Sequence, residues 1–187
     1  KANGLVYGGA RPSLFQVIVS PPSVLALDGV SVNKFSFVAR AAELPASTVA
    51  SFDVPYFGRN IKLAGERSFA DWRVTVMNDE DFAVRAMFEK WLNAINSMVT
   101  NLRSPVLFEE GYKSLVDVVQ YAKDGEIIRA YQLVGAFPTE ADAISLDWSQ
   151  GNQNEEFAVS FAYDYWVPVV ETSTKKLGGV NVYGTML

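Results

Sequence analysis

Most apolar runs in this chain are short, rich in β-branched and aromatic residues, and interrupted by Gly, Pro, Asn or Asp. Such punctuated runs favour β-strands, because these side chains pack well on a pleated surface and the interrupting residues form turns. The chain has 187 residues, 49% of them hydrophobic, which suits one domain and excludes disorder throughout. We therefore expect a single, mainly β domain spanning residues 1–187.

Four segments carry the strand pattern clearly. Residues 14–20 form an almost continuous apolar run that ends at two prolines, and residues 34–41 and 69–77 alternate between two faces. Residues 156–166 alternate with aromatic side chains on one face. Such an aromatic stripe could line a ligand pocket, but at strand spacing it more often forms core.

Two further segments predict a hairpin and a helix. In residues 114–134, Lys123-Asp124-Gly125 separates two strand-like runs, and Asp-Gly supplies the positive φ values of a tight turn. Residues 84–99 place apolar side chains at helical spacing. Asn78 is a candidate cap for this helix, with the acidic residues 79–81 in its first turn.

The composition removes several kinds of chemistry. Cys and His are absent, which excludes Ser-His-Asp and Cys-His nucleophilic sites, thiolate or imidazole zinc sites and disulfides. Carboxylates cluster at residues 79–81, 109–110 and 155–156, but neighbouring strand residues point to opposite faces. Residues 58–65 contain two glycines and a lysine without the spacing of a phosphate loop. We expect no enzyme, no metal and no cofactor.

The net charge of −5 argues against a protein that grips nucleic acid by its phosphates, while free passage of DNA remains compatible with it. No run of 18 apolar residues occurs, and residues 1–13 lack the pattern of a signal peptide. We expect no membrane contact through this sequence.

One block, GRNIKLAGERSFADWRVTVMNDED at residues 58–81, resembles the central signature of the tail tube proteins of contractile-tailed bacteriophages. Four more blocks are similar to that family and occur in its order: ARPSLFQV at 10–17, AAELPA at 41–46, QYAKDG at 120–125 and ISLDWSQGNQNEEFAVSFAYDYW at 144–166. Residues 21–33 look longer than the corresponding connection in the family, and residues 167–187 form an extension of unknown role.

The resemblance implies a fold of two roughly orthogonal antiparallel sheets, forming a β-barrel or sandwich with one flanking α-helix, as in the type VI secretion tube protein. It also implies a structural virion protein whose hexameric rings stack into the tail tube. The implied partners are other copies of the chain, the tail sheath, the tape-measure protein, and the baseplate and tail-terminator proteins. DNA would pass through the lumen without specific binding, and the subunit would be made in the host cytoplasm.

Elementary geometry requires several copies for such a bore. Eight strands about 4.8 Å apart and tilted by about 40° enclose a backbone diameter of only about 16 Å, which side chains fill. Six subunits that each supply about four strands enclose about 48 Å, enough for a duplex roughly 20 Å across. Free strand edges could pair around the ring. We also expect residues 44–65 to be mobile in the monomer and to become ordered on a growing tube.

Two sets of charged residues are candidates for assembly roles. Crowding in the segment of closest resemblance selects candidates for ion pairs between subunits or rings, namely Arg59, Lys62, Glu66, Arg67 and Asp71. Ordinary surface charge is the alternative. Their position in predicted strands selects candidate lumen-facing acids, namely Asp117, Glu126 and Asp164.

Three other functions are possible. A baseplate tube initiator, or an injection-system tube that delivers proteins, would share the fold. A monomeric ligand-binding β-barrel would instead use the Tyr and Trp side chains as a pocket.

Overall fold

The computed structural model describes residues 10–25, 29–103, 111–149 and 154–169. Nine strands and two α-helices occur in these ranges. In chain order they are β1 Phe15–Ser20, α1 Gly29–Val38, β2 Ala39–Ala42, β3 Thr48–Tyr56, β4 Arg59–Ser68, β5 Trp72–Met77, α2 Ala83–Ile95, β6 Ser114–Tyr121, β7 Ile127–Ala141, β8 Glu156–Ala162 and β9 Tyr165–Val169.

The long strand β7 joins two antiparallel layers. Its first part pairs with β6 and β9, and its last part, from Phe137, pairs with β8. Sheet 1 therefore has the order β1-β6-β7-β9, and sheet 2 has the order β7-β8-β5-β2. The hydrogen-bonded path runs from β1 to β2 and does not close within the described residues. The mainly β, two-sheet fold is confirmed, but the described strands form an open structure rather than a closed barrel.

The core lies between the two layers and the helices. Val17, Val116 and Leu133 of sheet 1 are fully buried, as are Val74 and Val159 of sheet 2. The aromatic stripe of residues 156–166 contributes Phe157 and Phe161 to this core, as the packing interpretation predicted. The rings of Phe88 and Trp91 in α2 meet the ring of Phe161 nearly edge-on.

The predicted helix is confirmed as α2, but it ends at Ile95 rather than near Val99, and its start was also wrongly placed. It begins at Ala83, and no acidic residue lies in its first turn. Asp81 Oδ1 accepts a hydrogen bond from the Ala83 backbone N–H. The Asn78 side chain instead donates to Glu155 Oε2 at 3.0 Å. The acidic residues therefore precede the helix, and Asn78 does not cap it.

The predicted strand at residues 34–41 is wrong, since α1 covers most of it and the short β2 follows. Ser31, Phe35 and Val38 are buried on one side of α1, at helical spacing. The Phe35 ring contacts Phe88 of α2 edge-on, with 5.3 Å between centroids. Over only eight residues, the alternation of a strand is hard to distinguish from the spacing of a helix. Here packing against a second helix decides which of the two forms. The described part of the chain therefore contains two α-helices rather than the one expected.

The predicted strands at 14–20 and 69–77 are confirmed as β1 and β5, and the 114–134 hairpin is confirmed as β6–β7. Its turn has positive φ only at Gly125, so Asp124 does not adopt the conformation predicted for it. The predicted strand 156–166 is divided at Tyr163-Asp164 into β8 and β9, which belong to different sheets. Residues 167–169 complete β9, and the rest of the predicted extension lies outside the described residues.

Candidate assembly surfaces

The longest exposed element is the hairpin of β3 and β4. Its pairing runs from Thr48 opposite Ser68 to Tyr56 opposite Arg59, with one register shift. Phe57 and Gly58 form its two-residue turn with φ of 45° and 81°, the positive values of a type I′ turn. The nine residues of β3 extend about 30 Å.

One face of this hairpin is apolar and exposed. Cross-strand pairing places Phe52 beside Leu63 and Val54 beside Ile61, with Tyr56 next along the same face. These side chains are 37–53% exposed. No other described helix or strand packs extensively against the hairpin. We call these five residues the apolar hairpin face. Contiguous exposed apolar surface of this kind marks an interaction site.

The sequence analysis does not predict this hairpin, because it treats residues 44–65 only as a segment that is mobile in the monomer. The signals were present in the alternation of Phe52, Val54 and Tyr56, and of Ile61 and Leu63. The turn residue before Gly58 is Phe rather than the Asn or Asp of common hairpin signals, so the turn was not recognised.

Four of the five candidate contact residues, Arg59, Lys62, Glu66 and Arg67, lie on β4, and Asp71 lies just before β5. All five are exposed, and none forms an ion pair within the described part of the chain. Alternation along β4 places Arg59 on the apolar hairpin face and Lys62 on the opposite face, across from Asp53. Four of these charged residues therefore lie on the same hairpin, but they do not form a single cluster.

The three candidate lumen acids have different surroundings. Asp117 lies in β6, whereas Glu126 lies in the β6–β7 turn and Asp164 between β8 and β9, so the strand placement predicted for these two is wrong. Asp164 is paired with Lys113 Nζ at 2.6 Å and 2.7 Å. Asp117 is the one that faces outward from the middle of a sheet.

Asp117 belongs to the face of sheet 1 that points away from the core. It lies in a row across the strands with Ile18, Gln132 and Val167. Gln132 Nε2 donates a hydrogen bond to Asp117 Oδ1 at 2.9 Å. Partial burial raises the pKa of the Asp117 carboxyl, and the Gln132 bond opposes that rise. This face is mixed, with apolar side chains around one carboxylate.

The described carboxylate clusters face cations or amides rather than one another. Lys34 Nζ lies 2.5 Å from Asp79 and 2.6 Å from Asp81, which lowers the pKa of both carboxyls and raises the pKa of Lys34. Glu156 is paired with Arg40. Residues 109–110 lie outside the described residues.

A groove lies beside the loop between β7 and β8. Its volume is about 950 Å³, and Met77, Leu146, Asp147, Trp148 and Glu155 contribute to its lining. Leu146 and Trp148 are strongly exposed at its border. We call this feature the β7–β8 groove.

A family model described as phage tail tube protein matches residues 10–169. The chain belongs to the phage tail tube protein family. The tail tube protein gp19 of Enterobacteria phage T4 is 35% identical over 158 residues, covering 84% of this chain and 90% of gp19. The tail tube protein of Serratia phage KSP90 is 24% identical over 156 residues, covering 83% and 86% of the two chains.

Solved structures confirm the fold of this tail tube protein. A chain of the anti-feeding prophage baseplate matches with a TM-score of 0.62 at 12% identity, covering 86% of this chain and 95% of that one. A chain of the extended sheath–tube complex of the PVC extracellular contractile injection system matches with a TM-score of 0.52 at 15% identity, covering 87% and 93%.

The predicted family and its function are confirmed: this is a structural tail tube protein of contractile phages. Among the described residues, no helix has the length and apolar character needed to cross a membrane.

Proposed function

We propose that six copies of this tail tube protein close into a ring and that the rings stack into a tube that conducts the genome. The main support for this proposal is that the apolar hairpin face is exposed in the single chain. Full burial of a large apolar side chain contributes about 1.5–3 kcal/mol, so covering five side chains that are about half exposed would still favour assembly. No other described helix or strand packs extensively against them.

Sheet 1 supplies the four strands that the bore requires. Its edge strands β1 and β9 each have one neighbouring strand among the described residues, and α1 packs against β1. Pairing of β1 in one copy with β9 in the next is a heterologous contact, which closes into a ring when the rotation divides a full turn. The outward face of sheet 1, with Asp117, would then line the lumen.

The remaining partners follow from this arrangement. The sheath would bind the outside of the tube, the tape-measure protein would fill it during assembly, and baseplate and terminator proteins would bind its ends. Chains of a baseplate and of a sheath–tube complex share the fold, which supports this assignment. The protein acts without catalysis or cofactor and is made in the host cytoplasm before it enters the virion.

A substitution on the hairpin tests the proposal. Val54→Asp places a charge in the apolar hairpin face and should abolish tubes while the monomer keeps its circular dichroism and Tm, since the hairpin does not pack on the body. Ser51→Asp is the matched control, because Ser51 lies on the opposite face of β3. Negative-stain microscopy of both variants gives the result.

Tubes formed equally well by Val54→Asp would contradict the proposal. A wild-type protein that stays monomeric at high concentration with a bound apolar molecule would support the ligand-binding alternative instead. Packing of Phe157 and Phe161 in the core already argues against that alternative.

A further inference from the structure

The tip of the β3–β4 hairpin carries an aromatic residue in an unfavourable conformation. Phe57 has φ of 45°, and its side chain is 91% exposed. Its ring meets the Tyr56 ring edge-on at 4.6 Å, and no core packing holds it in place. A bulky residue in the left-handed region of the backbone costs free energy, and such strain clusters at functional positions. Phe57 therefore has the features of a residue that contacts another molecule.

The hairpin differs from the rest of the chain in charge. Residues 48–68 contain three cations, Arg59, Lys62 and Arg67, and two anions, Asp53 and Glu66. The hairpin thus carries +1, and the other residues together carry −6 of the total −5. Arg59 directly follows the turn and pairs with Tyr56 across the two strands, so the tip carries a cation as well as two aromatic residues.

The β7–β8 groove has the complementary character. Its lining contains the carboxylates of Asp147, Glu155 and Glu156 and one guanidinium, that of Arg40, for a local charge of −2. Asp147 Oδ1 accepts hydrogen bonds from the backbone N–H and hydroxyl of Ser149, which lower the pKa of the carboxyl and keep it ionised. Trp148, beside Asp147, offers a fully exposed indole.

We propose that the hairpin tip of one copy docks in the β7–β8 groove of a second copy, with Phe57 against Trp148 and Arg59 paired with Asp147. This inference rests on the proposed function and specifies its contact. Aromatic and Arg side chains are the residue types that dominate binding energy at interfaces. The same copy supplies both surfaces, so each subunit can donate one tip and accept another, which a heterologous assembly requires.

Cross-linking tests this contact directly, because the chain contains no cysteine. Asn60 and Ser145 lie beside the proposed contact residues and leave them unchanged. Tubes of the double variant Asn60→Cys/Ser145→Cys, treated with a short bis-maleimide, should give a ladder of covalent multimers in denaturing gels. Each single-cysteine variant should stay monomeric. The pair Asn60→Cys/Lys123→Cys, with the second cysteine on the β6–β7 turn, is a control and should give no ladder.

Intact tubes that give no ladder would overturn the docking contact while leaving the proposed tube function standing. Free labelling of Ser145→Cys in naked tubes by a mono-maleimide would also overturn it, since the groove would then be open to another protein such as the sheath. A wild-type chain that forms no rings or tubes would instead contradict the proposed function.

Charge reversal gives a second test. Arg59→Asp should raise the protein concentration needed for tube formation about tenfold, because it places two carboxylates together at the contact. The double variant Arg59→Asp/Asp147→Arg should restore assembly to within about threefold of wild type. Equal defects in the single and double variants would overturn the pairing. Asp147→Asn, which keeps an acceptor for Ser149, controls for damage to the loop turn.

Discussion

Gly135 lies where β7 passes from sheet 1 to sheet 2 and is needed there for two reasons. Its φ of 69° is unfavourable for residues with a side chain, and an added Cβ would clash with the Asp164 carboxylate. Asp164 is held in that place by its backbone bond to Val134 and by Lys113. The glycine thus allows the strand to serve both layers.

Gly135→Ala is expected to lower the free energy of unfolding by about 1–3 kcal/mol, from backbone strain and the clash together. Urea unfolding of the monomer measures this loss. Gly111→Ala serves as the control: its φ is 81°, but an added Cβ meets nothing within 4 Å. A loss for Gly135→Ala no larger than that for Gly111→Ala would show that the Asp164 contact is unimportant.

Asp117 gives a prediction about pH. Because burial raises its pKa in the folded state, protonated Asp117 favours folding at low pH, and this contribution is lost as the pH rises through the folded pKa. Asp117→Asn should therefore match wild type near pH 3 and exceed its Tm at pH 7, by no more than about 2 °C because the group keeps part of its hydration. Thermal scans of assembly-deficient monomers across this pH range measure the difference, and a lower Tm for the variant at pH 7 would contradict it.

At the scale of elements, the β3–β4 hairpin should change most on assembly. Among the described strands, β3 and β4 pair only with each other, whereas β5 lies between β8 and β2. Amide hydrogen exchange in residues 48–65 should be fast in the monomer and at least about tenfold slower in the tube, with β5 protected in both. Equal protection of residues 48–65 in the two states would refute the idea that assembly orders this segment.

Elements with one strong local signal were predictable from the sequence. Asp124-Gly125 marked the β6–β7 turn, and the helical spacing of apolar residues between Val84 and Ile95 marked α2. The segment at 34–41 was not predictable, because its helical state depends on Phe35 packing against Phe88, far away in sequence. The division at Asp164 likewise depends on a contact with β7 that no local pattern encodes.

The candidate contact residues show the same limit. Arg59 and Lys62 are candidate contact residues because they lie in the segment that most resembles the family, and this segment forms an exposed hairpin in the structure. Their opposite faces, however, follow from the pairing of β3 with β4. The apolar hairpin face and the β7–β8 groove involve residues from strands and loops whose meeting only the three-dimensional structure reveals.

At the scale of the whole molecule, the central claim is that several copies of this chain surround a common bore. Sheet 1 of each copy lines the bore, and the apolar hairpin face of each copy is buried against a neighbouring copy. The edge positions of β1 and β9 in sheet 1, the half-exposed apolar hairpin face and the cation-bearing hairpin on an otherwise acidic chain all support assembly of identical copies. The monomer is therefore best understood as one subunit of a larger assembly.

Electron cryomicroscopy of the purified, assembled protein tests this claim most directly. We predict stacked sixfold rings whose inner wall is a continuous sheet built from sheet 1, with Val54 and Ile61 buried between copies. Separate monomers at high concentration, or tubes in which the apolar hairpin face remains exposed to solvent, would contradict the account.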